Sequence, residues 1–296
     1  MTPPANFIKA MPVEKPESEP SDTGPARSTD PSRWALVTGA SAGIGEEFCR
    51  QLAALGYHLV LVARRADRLH ALATELRQAH GTASMILPTD LSDPGASKAI
   101  ARRLEKEEIS IEFLVNNAGY GVPGRFTDPS WEQHQDFIQV MMTAVCELTW
   151  RLLPVMHESK KGFIINVASV AGLVPPSEGH TLYGGSKSFL VMFSEALAHE
   201  NVHHNVNVSA LCPGFTYSEF HDVTKTRDLV NRLPSIAWLN TDDVVRYGIE
   251  SVTRQKPRVI AVPGLYYRFM LGLNRYLPGF GRWVVRRMNK RFRKLE

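Results

Sequence analysis

From Trp34 to about Val262 the chain alternates short β-rich apolar runs with longer amphipathic ones, and nothing else in the sequence constrains the fold as strongly. The apolar runs fall at 34–38, 58–63, 84–88, 111–115, 162–168, 205–211 and 258–262. Between them, 44–55, 67–79, 131–157 and 182–200 read as helices, with leucines in 67–79 recurring at the three-to-four-residue step of one apolar face. Parallel strands cannot be joined by tight turns, so each crossover takes a helix and the sheet is covered on both faces. The pattern therefore predicts an α/β chain built on a single doubly wound parallel sheet of about seven strands. No stretch of eighteen uninterrupted apolar residues occurs, so no membrane-spanning helix is predicted.

The first run leads into a glycine-rich turn, Thr38-Gly39-Ala40-Ser41-Ala42-Gly43-Ile44-Gly45, which opens a predicted helix. Strand, glycine turn and helix are the context a dinucleotide-binding motif requires, and they make the sheet Rossmann-like. Gly39 allows the tight turn. Gly43 and Gly45 carry no side chain, so a pyrophosphate can approach the helix N-terminus, where unpaired N–H groups and the dipole favour anions. After the second strand come Arg64 and Arg65, where an NAD site usually places an acid for the ribose 2′-hydroxyl. Guanidinium groups suit a 2′-phosphate, so NADP(H) is the expected cofactor, with NAD(H) left open; the bland alternative is a solvated helix start.

Tyr183 and Lys187 stand four residues apart, and Ser169 lies fourteen residues before Tyr183. Residues four apart on a helix share a face, so phenol and ammonium are expected in one space. A tyrosine pKa of about 10 is lowered by an adjacent fixed cation, which would suit proton transfer near neutral pH. Hydride arriving at a carbonyl carbon builds charge on its oxygen; Ser169 and Tyr183 are donors able to stabilise that oxygen and protonate it. Either residue alone is commonplace in a fold. Their joint spacing is not.

The ordered motifs Thr38–Gly45, Asp90-Leu91, Asn116-Asn117-Ala118-Gly119, Asn166-Val167-Ala168-Ser169, Tyr183-x-x-x-Lys187 and Pro213-Gly214 resemble the short-chain dehydrogenase/reductase family, in particular bacterial members with a basic C-terminal extension. The resemblance covers about 34–262. It implies that Asp90 bonds the adenine with Leu91 beside it, and that Asn117, with Ala118 and Gly119, lies against the cofactor and helps hold the central strand. It implies that Ser169 bonds the substrate oxygen, Tyr183 transfers the proton, and Lys187 bonds the nicotinamide ribose while lowering the Tyr183 pKa. Pro213, Gly214 and Thr216 would meet the nicotinamide, and Ser218 keeps a hydroxyl where the family often has threonine. Gly39, Ser41, Gly43, Ile44 and Gly45 would line the diphosphate. Relatives often associate through helices corresponding to 131–157 and 182–200, which implies a homodimer or homotetramer.

Two departures stand out. Where the family usually carries an asparagine that holds a water behind the lysine, this chain has Met141, and no asparagine occurs between Asn117 and Asn166. A thioether accepts weakly and donates nothing. Met141 either fills space while backbone meets the relay, or turnover is reduced or altered. The step from Ser169 to Tyr183 is one residue longer than in many relatives, an excess the loop Pro175–His180 can absorb. His180 and His221 flank the expected pocket and read as loop residues rather than bases.

The segment 215–240 is rich in apolar residues, among them Phe220, Val223, Leu229, Val230, Leu233, Ile236, Trp238 and Leu239. Relatives place a substrate lid there, so a small apolar carbonyl or alcohol substrate is expected; a core-packing helix would look the same. The chain has net charge +4, but from Tyr266 to Glu296 nine basic residues face one acid, so that tail is +8 and the rest is −4. On a helix beginning near 280, Phe280, Trp283, Val284, Met288, Phe292 and Leu295 form one stripe amid arginine and lysine. That pattern reads as docking on an anionic membrane surface through 266–296, against a partner-binding helix or packing on its own domain. No nucleic-acid module accompanies the charge, so nucleic acid is not an expected partner.

Residues 1–33 hold seven prolines among polar residues and acids, so they are expected to be a disordered tail. Domain organisation follows: 1–33 tail, 34–265 NAD(P)-binding catalytic domain, 266–296 basic extension. Cys49, Cys146 and Cys212 are scattered without a CxxC pair, so neither a zinc site nor a disulfide framework is expected. A cytoplasmic protein, peripheral on the membrane if the tail docks there, is the expected setting. Two functions fit: an NADP(H)-dependent oxidoreductase, or a catalytically weak nucleotide-binding adaptor, which Met141 keeps in play.

Overall fold

The computed structural model describes residues 33–122, 124–175, 178–179, 181–219, 234–276 and 279. Seven parallel strands run in the order β3-β2-β1-β4-β5-β6-β7, from β1 (Trp34–Thr38) and β2 (His58–Ala63) through β3 (Ser84–Pro88), β4 (Ile111–Asn116), β5 (Gly162–Val167) and β6 (Val206–Leu211) to β7 (Ile260–Ala261). Successive strand residues point to opposite faces, and the core shows this residue by residue. Ala35, Val37, Leu59 and Leu61 feed one cluster, which α1 (Gly43–Ala54), α2 (Ala66–His80) and α7 (Thr241–Thr253) cover. Leu36, Val60 and Val62 feed the other, covered by α3 (Ala96–Lys106), α5 (Ala144–Ser159) and α6 (Thr181–Glu200). The predicted doubly wound sheet is therefore present.

Two elements differ in detail from the sequence expectation. The helix foreseen over 131–157 is α4 (Trp131–Ile138), a π-helical turn at Gln139–Thr143, and then α5. The last strand keeps only two of its expected residues in the ladder, because β7 meets only Ala210 and Leu211 at the sheet edge. The terminal helix α8 (Leu265–Tyr276) is not a detached arm. Its Tyr267 is buried in a third cluster with Val145, Leu190, Cys212 and Val262. Tyr267 Oη accepts from the Phe215 amide at 2.9 Å and donates to the Ala237 carbonyl, and its ring fills the space beside Gly214. The domain boundary expected at 265 thus falls at the first residue of a helix packed on the domain. No described helix is long and apolar enough to cross a membrane.

Strand order reverses between β1 and β4, and in such sheets the crevice outside the carboxyl ends of the strands at that point is the usual ligand site. The loops after β1, β4, β5 and β6 all end on that rim.

Candidate active site

The glycine turn forms one wall of the crevice. Gly39 has φ +70° and Gly43 φ +56°, backbone that side chains with a Cβ rarely adopt. A Cβ on Gly45 would lie 2.2 Å from the Gly39 carbonyl, so this helix start closes onto the strand end only with glycine. The turn is tied to the next loop through Thr38. Its Oγ1 accepts from the Asn117 and Ala118 amides, each at 3.0 Å, while Asn117 Nδ2 donates to the Thr38 carbonyl at 2.9 Å. These bonds tie Asn117, just after β4, to the end of β1. The Ala42 N-cap supplies no side-chain bond, so the first N–H groups of α1 keep their capacity for an anion. First-turn amides without a side-chain cap and a turn with glycine at 39, 43 and 45 fit a pyrophosphate.

At the other end of the groove, Asp90 accepts from Ser92 N at 3.0 Å and Ser92 Oγ at 2.9 Å, Leu91 is buried beneath it, and Arg64 stands 3.9 Å from the Asp90 carboxylate. Arg65 turns inward instead. Its Nε and Nη2 donate to Ser41 Oγ at 3.2 and 3.1 Å, and Nη2 also reaches the Ser41 carbonyl at 3.2 Å. The structure so joins Ser41 and Arg65, singled out from separate motifs, into one polar cluster that suits a 2′-phosphate.

The reactive trio assembles from three elements. Ser169 follows β5 and caps a 3₁₀ turn at Val170–Gly172, accepting from Ala171 N at 3.1 Å and lying 3.5 Å from the Pro213 carbonyl. Tyr183 and Lys187 share a face of α6, with Lys187 Nζ 5.7 Å from the tyrosine ring centroid. Ser169 and Tyr183 are hydrogen-bonded to each other. Lys187 Nζ donates to the Val167 carbonyl at 2.7 Å, which anchors the trio to the end of β5. The expected lowering of the Tyr183 pKa is not what this site does. Burial pushes the phenol up to about 12, against a smaller lowering by the Ser169 hydrogen bond, and burial pushes Lys187 down to about 8. Both shifts disfavour charge in a low-dielectric pocket.

Met141 lies in the π-helical turn, 1% exposed, with its Sδ 2.8 Å from where a Gly119 Cβ would sit. Single π turns within helices recur at functional sites. Gly214 abuts Tyr267; Thr216 Oγ1 donates to the Gly214 carbonyl at 3.1 Å; and Ser218 Cβ lies 3.0 Å from where a Gly43 Cβ would be. Loops after β1 and β6 hence meet across the groove. Pro176, Ser177, His180, His221, Phe220, Val223, Leu229, Val230 and Leu233, together with the 1–32 part of the expected tail and the aromatic stripe from Phe280 to Leu295, lie outside the described residues.

Several contributors escaped the sequence reading. Gly172 matters because a Cβ there would lie 2.6 Å from the Lys187 backbone, so the Ser169 turn reaches α6 only without one. Asn116 donates to Thr149 Oγ1 at 3.1 Å and Asn166 Oδ1 at 2.9 Å, and Asn166 donates to Ser194 Oγ at 2.9 Å. This buried chain stitches β4, β5, α5 and α6 together directly beneath the site. Its signal was present, as two asparagines ending apolar strands where an unpaired amide would be costly. Arg68, Glu219 and Tyr267 carried no local signal. Among the described residues no group of three potential ligands could hold a metal ion.

Comparison with known proteins agrees with this fold. The profile of the family described as short chain dehydrogenase matches residues 33–228. A very-long-chain 3-oxoacyl-CoA reductase of Laccaria bicolor is 36% identical over 201 residues, covering 67% of this chain and 59% of that protein. The chain thus matches about three-fifths of that relative's length. A short-chain dehydrogenase from Sphingobium yanoikuyae, solved in complex with NADPH, superposes with TM-score 0.72 at 31% identity, covering 83% of this chain and 95% of the other. A 7beta-hydroxysteroid dehydrogenase of Collinsella aerofaciens is 29% identical over 201 residues, covering 68% of this chain and 72% of that protein.

Proposed function

The chain belongs to the short-chain dehydrogenase family, and on that premise we propose that it is an oxidoreductase that interconverts a carbonyl and an alcohol on an apolar substrate with NADP(H). The observation that carries this reading is the Ser169–Tyr183–Lys187 constellation at the open end of the groove. The cofactor, when bound, would supply or accept the hydride. Every other task falls to side chains. Tyr183, held protonated by burial across the neutral range, donates its proton to the substrate oxygen as charge grows there. Ser169 gives the same oxygen a second donor. Lys187 keeps a buried positive charge near the phenol, which limits the penalty on the phenolate left behind. Gly39, Gly43, Gly45 and the start of α1 would hold the diphosphate, and Ser41 with Arg65 a 2′-phosphate; the NADPH-bound relative supports that choice over NAD(H).

Tyr217 stacks on Trp238 at 4.6 Å beside Phe215, and Ile236 is exposed, so apolar groups gather near the mouth. The similar proteins are named for a 3-oxoacyl-CoA and a hydroxysteroid, which supports a bulky apolar ketone as substrate. On α8, Leu265, Phe269 and Tyr276 are exposed where the basic extension begins, which supports peripheral docking on an anionic bilayer. Trp150 and Met192, 70% and 68% exposed on α5 and α6, support a homodimer or homotetramer through those helices.

The test is NADPH oxidation by the purified protein over a panel of apolar ketones and aldehydes, with Tyr183→Phe alongside. Turnover should fall about a thousandfold in the variant while NADPH binding holds, in line with the usual weight of general acid catalysis. Turnover unchanged in the variant would overturn the assigned acid. Buried Met141, where a polar relay is usual, favours a second reading, a catalytically weak nucleotide-binding adaptor. Intact NADPH binding with silence across the panel would favour that one.

A further inference from the structure

Glu219 sits one residue beyond Ser218 and reaches back across the groove to the adenosine end. Its Oε1 accepts from Arg68 Nη1 at 2.7 Å, and its Oε2 from Arg68 Nη1 at 2.9 Å and Arg65 Nη1 at 3.2 Å. Arg65 is the same side chain whose Nε and Nη2 hold Ser41. Its remaining described contact, through Nη1, is to a residue 154 positions away in sequence. All three charged groups stay more than two-fifths exposed, so a phosphate arriving from solvent can reach them. The hydrogen bond from Arg68, and then that from Arg65, holds the Glu219 carboxyl below its usual range, so it is charged at neutral pH.

A carboxylate and a phosphate monoester are recognised by guanidinium groups in the same way, through oxygens accepting from a fork of N–H donors. A 2′-phosphate seeking Arg65 finds its outward donor already bonded to an anion that would also repel it. A ribose 2′-hydroxyl meets no such conflict, because it can donate to the carboxylate. We propose that Glu219 is a specificity-determining residue that acts as a tethered competitor for the 2′-phosphate, held between Arg65 and Arg68 and displaced when NADP(H) binds. This rests on the NADP(H) reading above and deepens it. Because Thr216 contacts Gly214 and Ser218 packs on Gly43, displacement of Glu219 loosens the strip that bridges the two ends of the groove.

The experiment titrates adenosine 2′,5′-bisphosphate and 5′-AMP into native protein and Glu219→Gln by calorimetry, with amide hydrogen exchange of residues 216–219 followed in parallel. Native protein should prefer the bisphosphate. Glu219→Gln should bind the bisphosphate about threefold to tenfold more tightly, the range expected for releasing two exposed ion pairs, with 5′-AMP unchanged. The bisphosphate should speed exchange at 216–219 in native protein, and the variant should exchange fast without it. Preference in native protein with no gain in the variant would overturn the proposal alone. Equal binding of both nucleotides by native protein would overturn the NADP(H) reading, and the proposal with it.

Discussion

The two ends of the groove are built in opposite ways. At the reactive end, Ser169, Tyr183 and Lys187 are held by backbone carbonyls and by a glycine contact, in a pocket that shifts both titrating groups toward neutrality. At the adenosine end, Arg64, Arg65, Arg68, Asp90 and Glu219 are exposed and held by one another and by the serines Ser41 and Ser92. Proton transfer demands fixed geometry and tuned ionisation, which burial supplies. Recognition of a charged group from solvent demands charge that stays charged, which exposure preserves. The reactive end should therefore be sensitive to packing and pH, and the adenosine end to salt.

Among tests of this contrast the largest effect is expected from Gly172→Ala, which forces the Ser169 turn away from α6. Misplacement of that kind commonly lowers turnover about a hundredfold, and binding of adenosine 2′,5′-bisphosphate should not change. Equal loss at both ends would erase the contrast. A medium effect should come from Lys187. Its folded pKa of about 8 lies below the ordinary value of about 10.4, so between those values the unfolded chain binds more protons and stability rises with pH. Urea unfolding of native protein minus that of Lys187→Met should show this rise between pH about 8 and about 10, and a flat difference would mean that the ammonium is not desolvated. The smallest effect is at the exposed end. Raising NaCl from about 0.05 to about 0.5 M should weaken NADPH binding several-fold and leave single-turnover rates at saturating NADPH unchanged, because exposed charges are screened within a Debye length.

Much of this was legible in sequence because it is local. Val60 and Val62 facing one cluster, Leu59 and Leu61 the other, follow from a period of two that the residues display directly. Tyr183 and Lys187 fall on one face for the same kind of reason, a step of four on a helix. Other features had no local trace. The π turn at 139–143 interrupts a continuous helical pattern, and Met141 looked only like a missing asparagine until Gly119 was seen against its sulfur. Tyr267 read as the start of a basic extension, yet its hydroxyl bonds loops 30 and 52 residues away.

The sequence by itself determined the alternation of strands and helices, the family motifs and the residue types able to move a proton or meet a phosphate, because periodicity and chemical identity are written along the chain. Only the tertiary structure decided how those groups ionise and whom they bond. The direction of the Tyr183 shift and the pairing of Glu219 with Arg65 and Arg68 depend on what surrounds each group in space. Desolvation and Coulomb attraction act through space rather than along sequence, so the walls of the pocket set the direction of the Tyr183 shift.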